Sequence, residues 1–360
     1  MRIVIAGGGT GGHLYPGIAV AREFLARQPD TVVSFAGTAA GIEARVVPRE
    51  GFPLDVIRSG GLKGKGIGGR LKGLALVPLG LMDAWSVISR RQPHLVIGVG
   101  GYSSGPLVLV AALRRIPTMV LEQNAMPGLT NRWLGAVVDA AAVTYEASLP
   151  FFRGKAFVAG NPVRAEFLDN AMEPARTSSA DMTKVLVFGG SQGAHAINMA
   201  MVDALPRLAA AGSRCQWVHQ TGEKDLETVR EAFRRSGLDA RVEPFFYEMD
   251  REMRRADLLV CRAGATTLAE LTAAGRPAIL IPLPTATDDH QRKNAEELRR
   301  EGAVEVIDQR DLTGDRLADQ ILALAGDRAR RRRMGEAAAR LARPDAAARI
   351  VDHALKLAGG

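Results

Sequence analysis

Two stretches of this chain share one grammar. "IVIAGGGTGGH" (Ile3 to His13) and "VLVFGGSQGAH" (Val185 to His195) each set a short apolar run against a glycine cluster closed by histidine. Glycine lets a chain turn sharply after a strand and bring its backbone N–H groups close to a ligand, while the N-terminus of the helix that follows favours an anion. A phosphate-facing loop is the first reading of both stretches, and a merely tight strand-to-helix turn is the alternative. Two such openings, half a chain apart, form a weak internal repeat of one strand–loop–helix unit and point to two α/β layers rather than one.

The rest of the chain follows the same alternation. Strand-length apolar runs occur at Ile3–Ala6, Val32–Ala36, Leu95–Val99, Thr118–Glu122, Ala140–Val143 and Ala156–Ala159. After a polar stretch from Glu173 to Thr183 they resume at Val185–Phe188, Gln216–Gln220, Val242–Phe245, Leu258–Cys261, Ala278–Ile281 and Val304–Val306. Apolar strands separated by helical segments mean parallel sheets covered on both faces. The expected division is residues 1–161 and 162–344, with the break at "GNPVR" (Gly160 to Arg164). A last helix over 345–360 carries Ala346, Ile350, Ala354 and Leu357 on one face and packs back on the first domain. A chain of 360 residues is long for one core, and 47% hydrophobic against 5% aromatic residues suits Ala, Leu and Val packing between helices and sheets.

Several classes are disfavoured. Cys215 and Cys261 are far apart and form no CxxC, which fits a reducing cytosol rather than a disulfide scaffold. The six histidines are scattered without metal-ligand spacing, so no metal and no cofactor is expected. The N-terminal apolar run falls short of the ~7–15 residues of a signal-peptide core, and no run approaches the ~20 needed to cross a bilayer. An NAD site would need an acid at the end of the second strand for the ribose, yet that strand ends "SFAGT". The second glycine loop lacks the GK[ST] of a P-loop.

The remaining motifs sit at strand ends. "GVGGYSSGP" (Gly98 to Pro106) is a third glycine loop, and its alternative is a flexible turn. In "CRAGATTLAE", Thr266 and Thr267 are placed to cap a helix, and Glu270 is placed to accept two ribose hydroxyls; a solvated helix surface is its plainer role. In "TDDHQRKNA", His290 and Gln291 are placed to read sugar hydroxyls, and an N-cap by Asp288 or Asp289 is the alternative. No Asp-x-Asp pair occurs, so a departing nucleotide diphosphate would have to be met by helix ends, backbone N–H groups and arginine. Charge is unevenly placed within a formal total of +8. Arg58 to Arg91 carries seven basic residues against Asp83 and encloses "GLALVPLGLM" and Trp85. The run "RARRRR" from Arg328 is read as a solvated helix face.

Taken in order, "GGTGGHLYPGIAVA", "GVGGYSSGP", "EQNAMPG", "GNPVR", "GGSQGAHAIN", "CRAGATTLAE" and "DDHQRKNA" resemble the MurG family of peptidoglycan N-acetylglucosaminyltransferases across essentially the whole chain. The resemblance implies a GT-B fold of two Rossmann-like domains with a deep interdomain cleft. It implies inverting, metal-independent transfer of GlcNAc from UDP-GlcNAc to the C4 hydroxyl of undecaprenyl-diphospho-MurNAc-pentapeptide (lipid I), giving lipid II. By matching motifs it places donor contacts on Thr10, Gly11, Gly12, Asn124, Arg164, Ser191, Phe246, Ala265, Thr266, Thr267, Leu268, Ala269, Glu270, His290 and Gln291. This chain carries His290 and Phe246 where some members carry Gln and Ile. The first loop, with Gly100, Gly101, Tyr102 and Ser103, would face the acceptor diphosphate.

His13 is the expected general base for the acceptor hydroxyl, since an unperturbed imidazole titrates near ~6.5; a hydrogen bond to a phosphate is its alternative role. The basic apolar segment (Lys72, Leu74, Leu76, Leu79, Leu81, Trp85) would dock on an anionic phospholipid surface at the cytoplasmic face of the plasma membrane, with a core helix bearing solvated lysines as the alternative. Cell-wall assembly proteins are further expected partners, and nucleic acid is not. Two other functional classes stay open at this point. One is a GT-B relative, either a UDP-GlcNAc epimerase or a transferase to another acceptor; the other is a nucleotide-sugar binding module without turnover.

Overall fold

A computed structural model of the chain describes residues 1–60, 67–169, 182–190, 193–212 and 214–359, with the side chains of 67–75 and 169 outside the description. Ser191 and most of the polar stretch from Glu173 lie outside the described residues. The chain divides into two compact units, one of Met1–Ala165 with Arg343–Gly360 and one of Glu166–Ala342.

The first unit is built on seven parallel strands: β1 (Arg2–Gly7), β2 (Val32–Gly37), β3 (Leu54–Val56), β4 (Leu95–Gly100), β5 (Thr118–Glu122), β6 (Ala140–Val143) and β7 (Ala156–Val158). Their order across the sheet is β3-β2-β1-β4-β5-β6-β7. Helices α1 (Gly11–Arg27), α2 (Glu43–Arg49), α3 (Ile67–Arg91), α4 (Ser104–Leu113) and α5 (Leu129–Leu134) connect them. Successive strand residues point to opposite faces, so each apolar run feeds two cores at once. Ile3 and Ile5 pack with Leu14, Ile18 and Phe24 of α1, and with Ile350, Val351 and Ala354 of the C-terminal helix. Val4 and Ala6 pack instead with Ala84, Val87 and Ile88 of α3 and Leu107, Val108 and Ala111 of α4. Arg27 pairs with Asp352, and the Phe157 and His353 rings stack at 4.2 Å between centroids, so polar contacts also hold the C-terminal helix to this unit.

The second unit repeats the design with six parallel strands in the order β10-β9-β8-β11-β12-β13. These are β8 (Thr183–Phe188), β9 (Cys215–Gln220), β10 (Ala240–Glu243), β11 (Leu258–Cys261), β12 (Ala278–Leu280) and β13 (Val304–Val306). Helices are α6 (Ala165–Asp169) at the junction, α7 (His195–Ala210), α8 (Leu226–Ser236), α9 (Met249–Arg255), α10 (Ala265–Ala273), α11 (His290–Arg300), α12 (Gly314–Gly326) and α13 (Arg328–Leu341), with α14 (Ala346–Gly359) closing the chain. Cys215 and Cys261 are both buried and free.

Two expectations need correction. β3 has no counterpart among the apolar runs. It is a three-residue edge strand whose centre is Asp55, a buried carboxylate that takes hydrogen bonds from Arg90 at 2.8 Å and Arg91 at 2.8 Å. β10 runs Ala240–Glu243 rather than Val242–Phe245; beyond it the regular ladder gives way to an irregular contact in which Gly222 N donates to the Pro244 carbonyl at 3.0 Å.

Both sheets reverse direction of winding beside their first strand, between β1 and β4 and between β8 and β11. Ligands of open parallel sheets bind at the carboxyl ends of strands at such switch points. Four loops flank the two switch points, and they hold "GGGTGGH", "GVGGYSSGP", "GGSQGAH" and "CRAGATT".

Candidate functional site

In the first unit the β1–α1 and β4–α4 loops are pressed together, and glycine makes that possible. β1 and β4 slip register between Ala6 and Gly7, so that Gly7 lies opposite Gly100. A Cβ on Gly7 would stand 2.4 Å from the Gly100 carbonyl oxygen, and one on Gly101, at φ +81°, would stand 2.6 Å from that of Gly8. Thr10 N-caps α1 with its carbonyl, which receives the N–H groups of His13 and Leu14. Thr10 is exposed and Gly11 and Gly12 are half-buried. Tyr102 is exposed, whereas Ser103 is buried and precedes the first turn of α4.

Two buried side chains that the sequence alone did not single out shape this place. Glu43, fully buried, accepts hydrogen bonds from Gly9 N at 2.7 Å, Thr38 N at 2.8 Å and Thr38 Oγ1 at 2.8 Å. Burial opposes its ionisation, but the N–H groups of Gly9, Thr38 and Glu43 itself together with the Thr38 hydroxyl outweigh that, and its carboxyl sits below the usual range. A Cβ at Gly8 or Gly41 would fall 2.3 or 2.1 Å from that carboxylate. The glycines therefore make room for Glu43 as well as for a ligand, and the Gly9 N–H is committed inward. The second side chain, Gln123, takes His13 Nδ1 at 3.1 Å and donates to the Val99 carbonyl at 3.0 Å.

Beyond it, "EQNAMPG" is a tied loop. Glu122 accepts from Asn124 N, Gly128 N and Asn131 Nδ2, each within 2.9–3.0 Å. Arg164, near the end of this unit, lays its guanidinium over the Tyr15 ring, 5.3 Å from the centroid.

In the second unit the β8–α7 loop closes onto β9. A Cβ on Gly193, at φ +72°, would lie 1.8 Å from the Thr221 carbonyl oxygen, so only glycine fits. Gln220 ties this loop to the next, donating to Gly190 O at 3.0 Å and accepting from Phe246 N at 2.7 Å. Phe246 is buried, with Arg241 over its ring. His195, on the first turn of α7, meets Asp225 Oδ1 through Nδ1 at 2.9 Å. Asn198 holds the other oxygen at 2.8 Å, and the buried His219 donates to Asn198 Oδ1 at 3.0 Å. Burial lowers His219 to a pKa of about 3. Burial works against the Asp225 carboxylate too, and the Asn198 and His195 hydrogen bonds overcome it, leaving its pKa below the usual value.

At the β11–α10 junction, Gly264 is the N-cap and makes no side-chain cap bond; Thr266 and Thr267 lie inside the first turn rather than capping it. Ala265, Thr266, Thr267 and Ala269 are half-buried, and Leu268 is a core residue at 1% exposure. Glu270 is buried at 6% exposure, which removes a solvated helix surface as its setting. Arg262, in the same loop, donates to the Ile281 carbonyl at 3.1 Å and is depressed by burial. Gln291 Oε1 accepts from Leu283 N at 2.9 Å, which leaves its NH2 end as donor. His290 Nδ1 lies 2.7 Å from the Thr287 carbonyl. Asp289 is the residue before α11, at φ +56°, and forms no side-chain cap.

On α3 the outward face differs from the expected one. Leu76, Leu79 and Leu81 are half-buried, while Val77, Pro78, Met82 and Trp85 are exposed, and a 3.6-residue period brings Pro78, Met82 and Trp85 round to one side. Leu113 at the end of α4 is 73% exposed, and Arg114 covers the Trp85 ring at 4.8 Å. The side chains of Lys72 and Leu74 lie outside the described residues. The run from Arg328 is not uniformly solvated: Arg330 pairs with Glu305, and Arg331, half-buried, donates to the Leu324 and Ala325 carbonyls. Among the described residues no group of three or more His, Cys, Asp or Glu is placed to hold a metal ion, and no helix is long and apolar enough to cross a membrane.

Comparison with known proteins bears directly on this geometry. Residues 3–143 match the glycosyltransferase family 28 N-terminal domain, and residues 184–350 match the family 28 C-terminal domain. A protein of Anaeromyxobacter sp. (strain K), named UDP-N-acetylglucosamine–N-acetylmuramyl-(pentapeptide) pyrophosphoryl-undecaprenol N-acetylglucosamine transferase, is 49% identical over 358 residues, covering 99% of this chain and 93% of its own. The crystal structure of Acinetobacter baumannii MurG superposes with a TM-score of 0.81 at 29% identity, over 99% of both chains. UDP-GlcNAc 2-epimerase of Neisseria meningitidis, bound to UDP-GlcNAc, shares the fold at a TM-score of 0.69 and 13% identity over 99% of this chain and 100% of its own. The two Rossmann-like sheets are thus those of the GT-B class.

Proposed function

This chain belongs to glycosyltransferase family 28, and from that premise we propose that it transfers N-acetylglucosamine from UDP-N-acetylglucosamine to undecaprenyl-diphospho-N-acetylmuramoyl-pentapeptide, the lipid I to lipid II step of peptidoglycan synthesis. The observation that carries the substrates is the 49% identity, along 99% of the chain, to a transferase named for this donor and this acceptor.

The finer mechanism is our own reading. The acceptor C4 hydroxyl gives its proton to His13 and attacks the anomeric carbon from the face opposite the leaving group, so the configuration inverts. The bond from that carbon to the diphosphate oxygen breaks, and UDP leaves with the electron pair. A single exposed helix N-terminus stabilises such an anion by only ~0.3–1 kcal/mol. We therefore assign the departing charge to several donors acting together, with the β8–α7 loop of the second unit foremost. Glu270 would hold the ribose, and the NH2 end of Gln291 with His290 would read the sugar. The glycine loop before α1 and Gly100 to Ser103 would receive the acceptor diphosphate.

Met82, Trp85 and Leu113, with Arg114 and Arg115 beside them, support a second element of the proposal: peripheral docking of α3 and α4 on an anionic leaflet. Each basic residue near such a surface adds about 1 kcal/mol, and the partly inserted aromatic adds an apolar anchor.

The test is transfer of radiolabelled GlcNAc from UDP-GlcNAc to a lipid-linked diphospho-MurNAc-pentapeptide with EDTA present. Labelled disaccharide lipid is the expected product. Binding of UDP-GlcNAc without that product, or release of a 2-epimer, would replace lipid I as the substrate and favour a binding module or an epimerase.

A further inference from the structure

The His13 ring is fixed from two sides by parts of the chain far from it in sequence. Gln123, at the end of β5 and 2% exposed, sets its Oε1 3.1 Å from Nδ1. The same amide places its Nε2 3.0 Å from the Val99 carbonyl oxygen. A carbonyl only accepts, so the NH2 end of Gln123 belongs to Val99 and the oxygen end to His13. The reversed amide would set two oxygens against each other at that distance. The imidazole must then donate from Nδ1, and in its neutral form it keeps a bare lone pair on Nε2. Gly100 closes the other side: a Cβ there would lie 2.6 Å from Nδ1, so the ring rests on bare backbone at φ +99°.

We propose that Gln123 is a positioning residue that holds His13 in the Nδ1–H tautomer, so that Nε2 is the atom that takes the proton of the acceptor hydroxyl. This rests on His13 acting as the base. In the step, the hydroxyl O–H breaks, the proton forms a bond to Nε2, and the ring becomes an imidazolium whose Nδ1–H still donates to Gln123. An amide oxygen serves both forms of the ring and adds no charge, so the ring can lose the proton again after each turnover. The titratable and charged groups on the surrounding elements are Tyr15 on α1, Arg164 over Tyr15, Tyr102 on the β4–α4 loop, Glu122 beside Gln123 and Glu43 behind the first loop. Both carboxylates are turned onto their own donors.

The test uses the full chain labelled with 15N-histidine and two variants. Gln123→Met keeps the side-chain length and removes the acceptor. It should let the neutral ring shift toward the Nε2–H tautomer in 15N spectra, with His13→Ala identifying the signal. It should also lower kcat about 10- to 100-fold at unchanged KM for UDP-GlcNAc. Gln123→Glu keeps the shape and adds a charge; the acid limb of kcat/KM should move up by about one pH unit or more. Should Gln123→Met not fold, the Gln123→Glu profile decides alone. Retention of the Nδ1–H tautomer in Gln123→Met, or an unmoved acid limb in Gln123→Glu, overturns the positioning role. Near-wild-type turnover of His13→Ala overturns the base role instead, and leaves the tautomer result to be read by itself.

Discussion

His13 and His195 occupy the same place in the two units: the first turn of the first helix after the first glycine loop, with Nδ1 engaged by a side chain from a distant part of the chain. The partners differ in charge. His13 faces the amide of Gln123, and His195 faces the carboxylate of Asp225, itself held by Asn198 and, through Asn198, by the buried His219. An amide sets a tautomer and leaves the ring free to gain and lose a proton. A carboxylate sets a fixed negative charge beside the ring. One strand–loop–helix unit, used twice, thus gives its histidine a neutral partner in one copy and a charged partner in the other.

Several changes would break or sharpen that contrast. The largest effect is expected from His13→Ala, with turnover down by about 10²- to 10⁴-fold and the donor KM unchanged; initial rates with both substrates varied decide it, and an unaltered kcat would leave His13 no more chemical than its counterpart. Glu43→Gln should come next. The buried N–H groups of Gly9 and Thr38 lose their anionic acceptor, and a strained or orphaned buried donor costs about 1–3 kcal/mol. Denaturant unfolding should register that loss, together with a raised KM for the lipid acceptor and little change for UDP-GlcNAc.

His219 gives a pH signature to the second unit. Folded, it stays neutral down to about pH 3, while in the unfolded chain it takes up a proton near ~6.5. Between those values the unfolded state binds one proton more, so stability falls as pH drops through this window, by at most about 1.4 kcal/mol per pH unit from this group. Replacing His219 with Gln, which keeps a donor toward Asn198, should flatten the slope; an identical slope in the variant would place the acid sensitivity elsewhere. The smallest change is expected for Asp225→Asn, a roughly three- to tenfold rise in the donor KM with kcat nearly intact, about 1 kcal/mol of charge-assisted hydrogen bonding. An equal effect on the acceptor KM would count against the contrast between the two histidines.

Much of the frame was legible beforehand. Eleven of the apolar runs became strands in place because a parallel strand buried on both faces has to be apolar along its length, and that is a local property. β3 was not legible, since three residues with a charged centre carry no periodic signal. The end of β10 was not legible either, since Phe245 and Phe246 continue the apolar run while Gln220 takes the Phe246 N–H through its side chain. Within the candidate site, the four loops at the switch points could be read from glycine and small residues. The outward face of α3 could not, because Leu81 looks as exposed in sequence as Met82 and Trp85 until it packs against the core that α3 shares with α4.

By itself the amino-acid order determined the two sheets, the loops at their carboxyl ends and the presence of a histidine after the first and second glycine clusters, all through interactions within a few residues of each other. Only the tertiary structure decided what those histidines and glycines touch. Gln123 lies 110 residues from His13, and Glu43 lies 34 from Gly9. No local pattern announces such pairs. They exist because parallel strands joined by long crossovers bring their carboxyl ends side by side, and it is there that a neutral amide rather than a carboxylate came to rest against Nδ1.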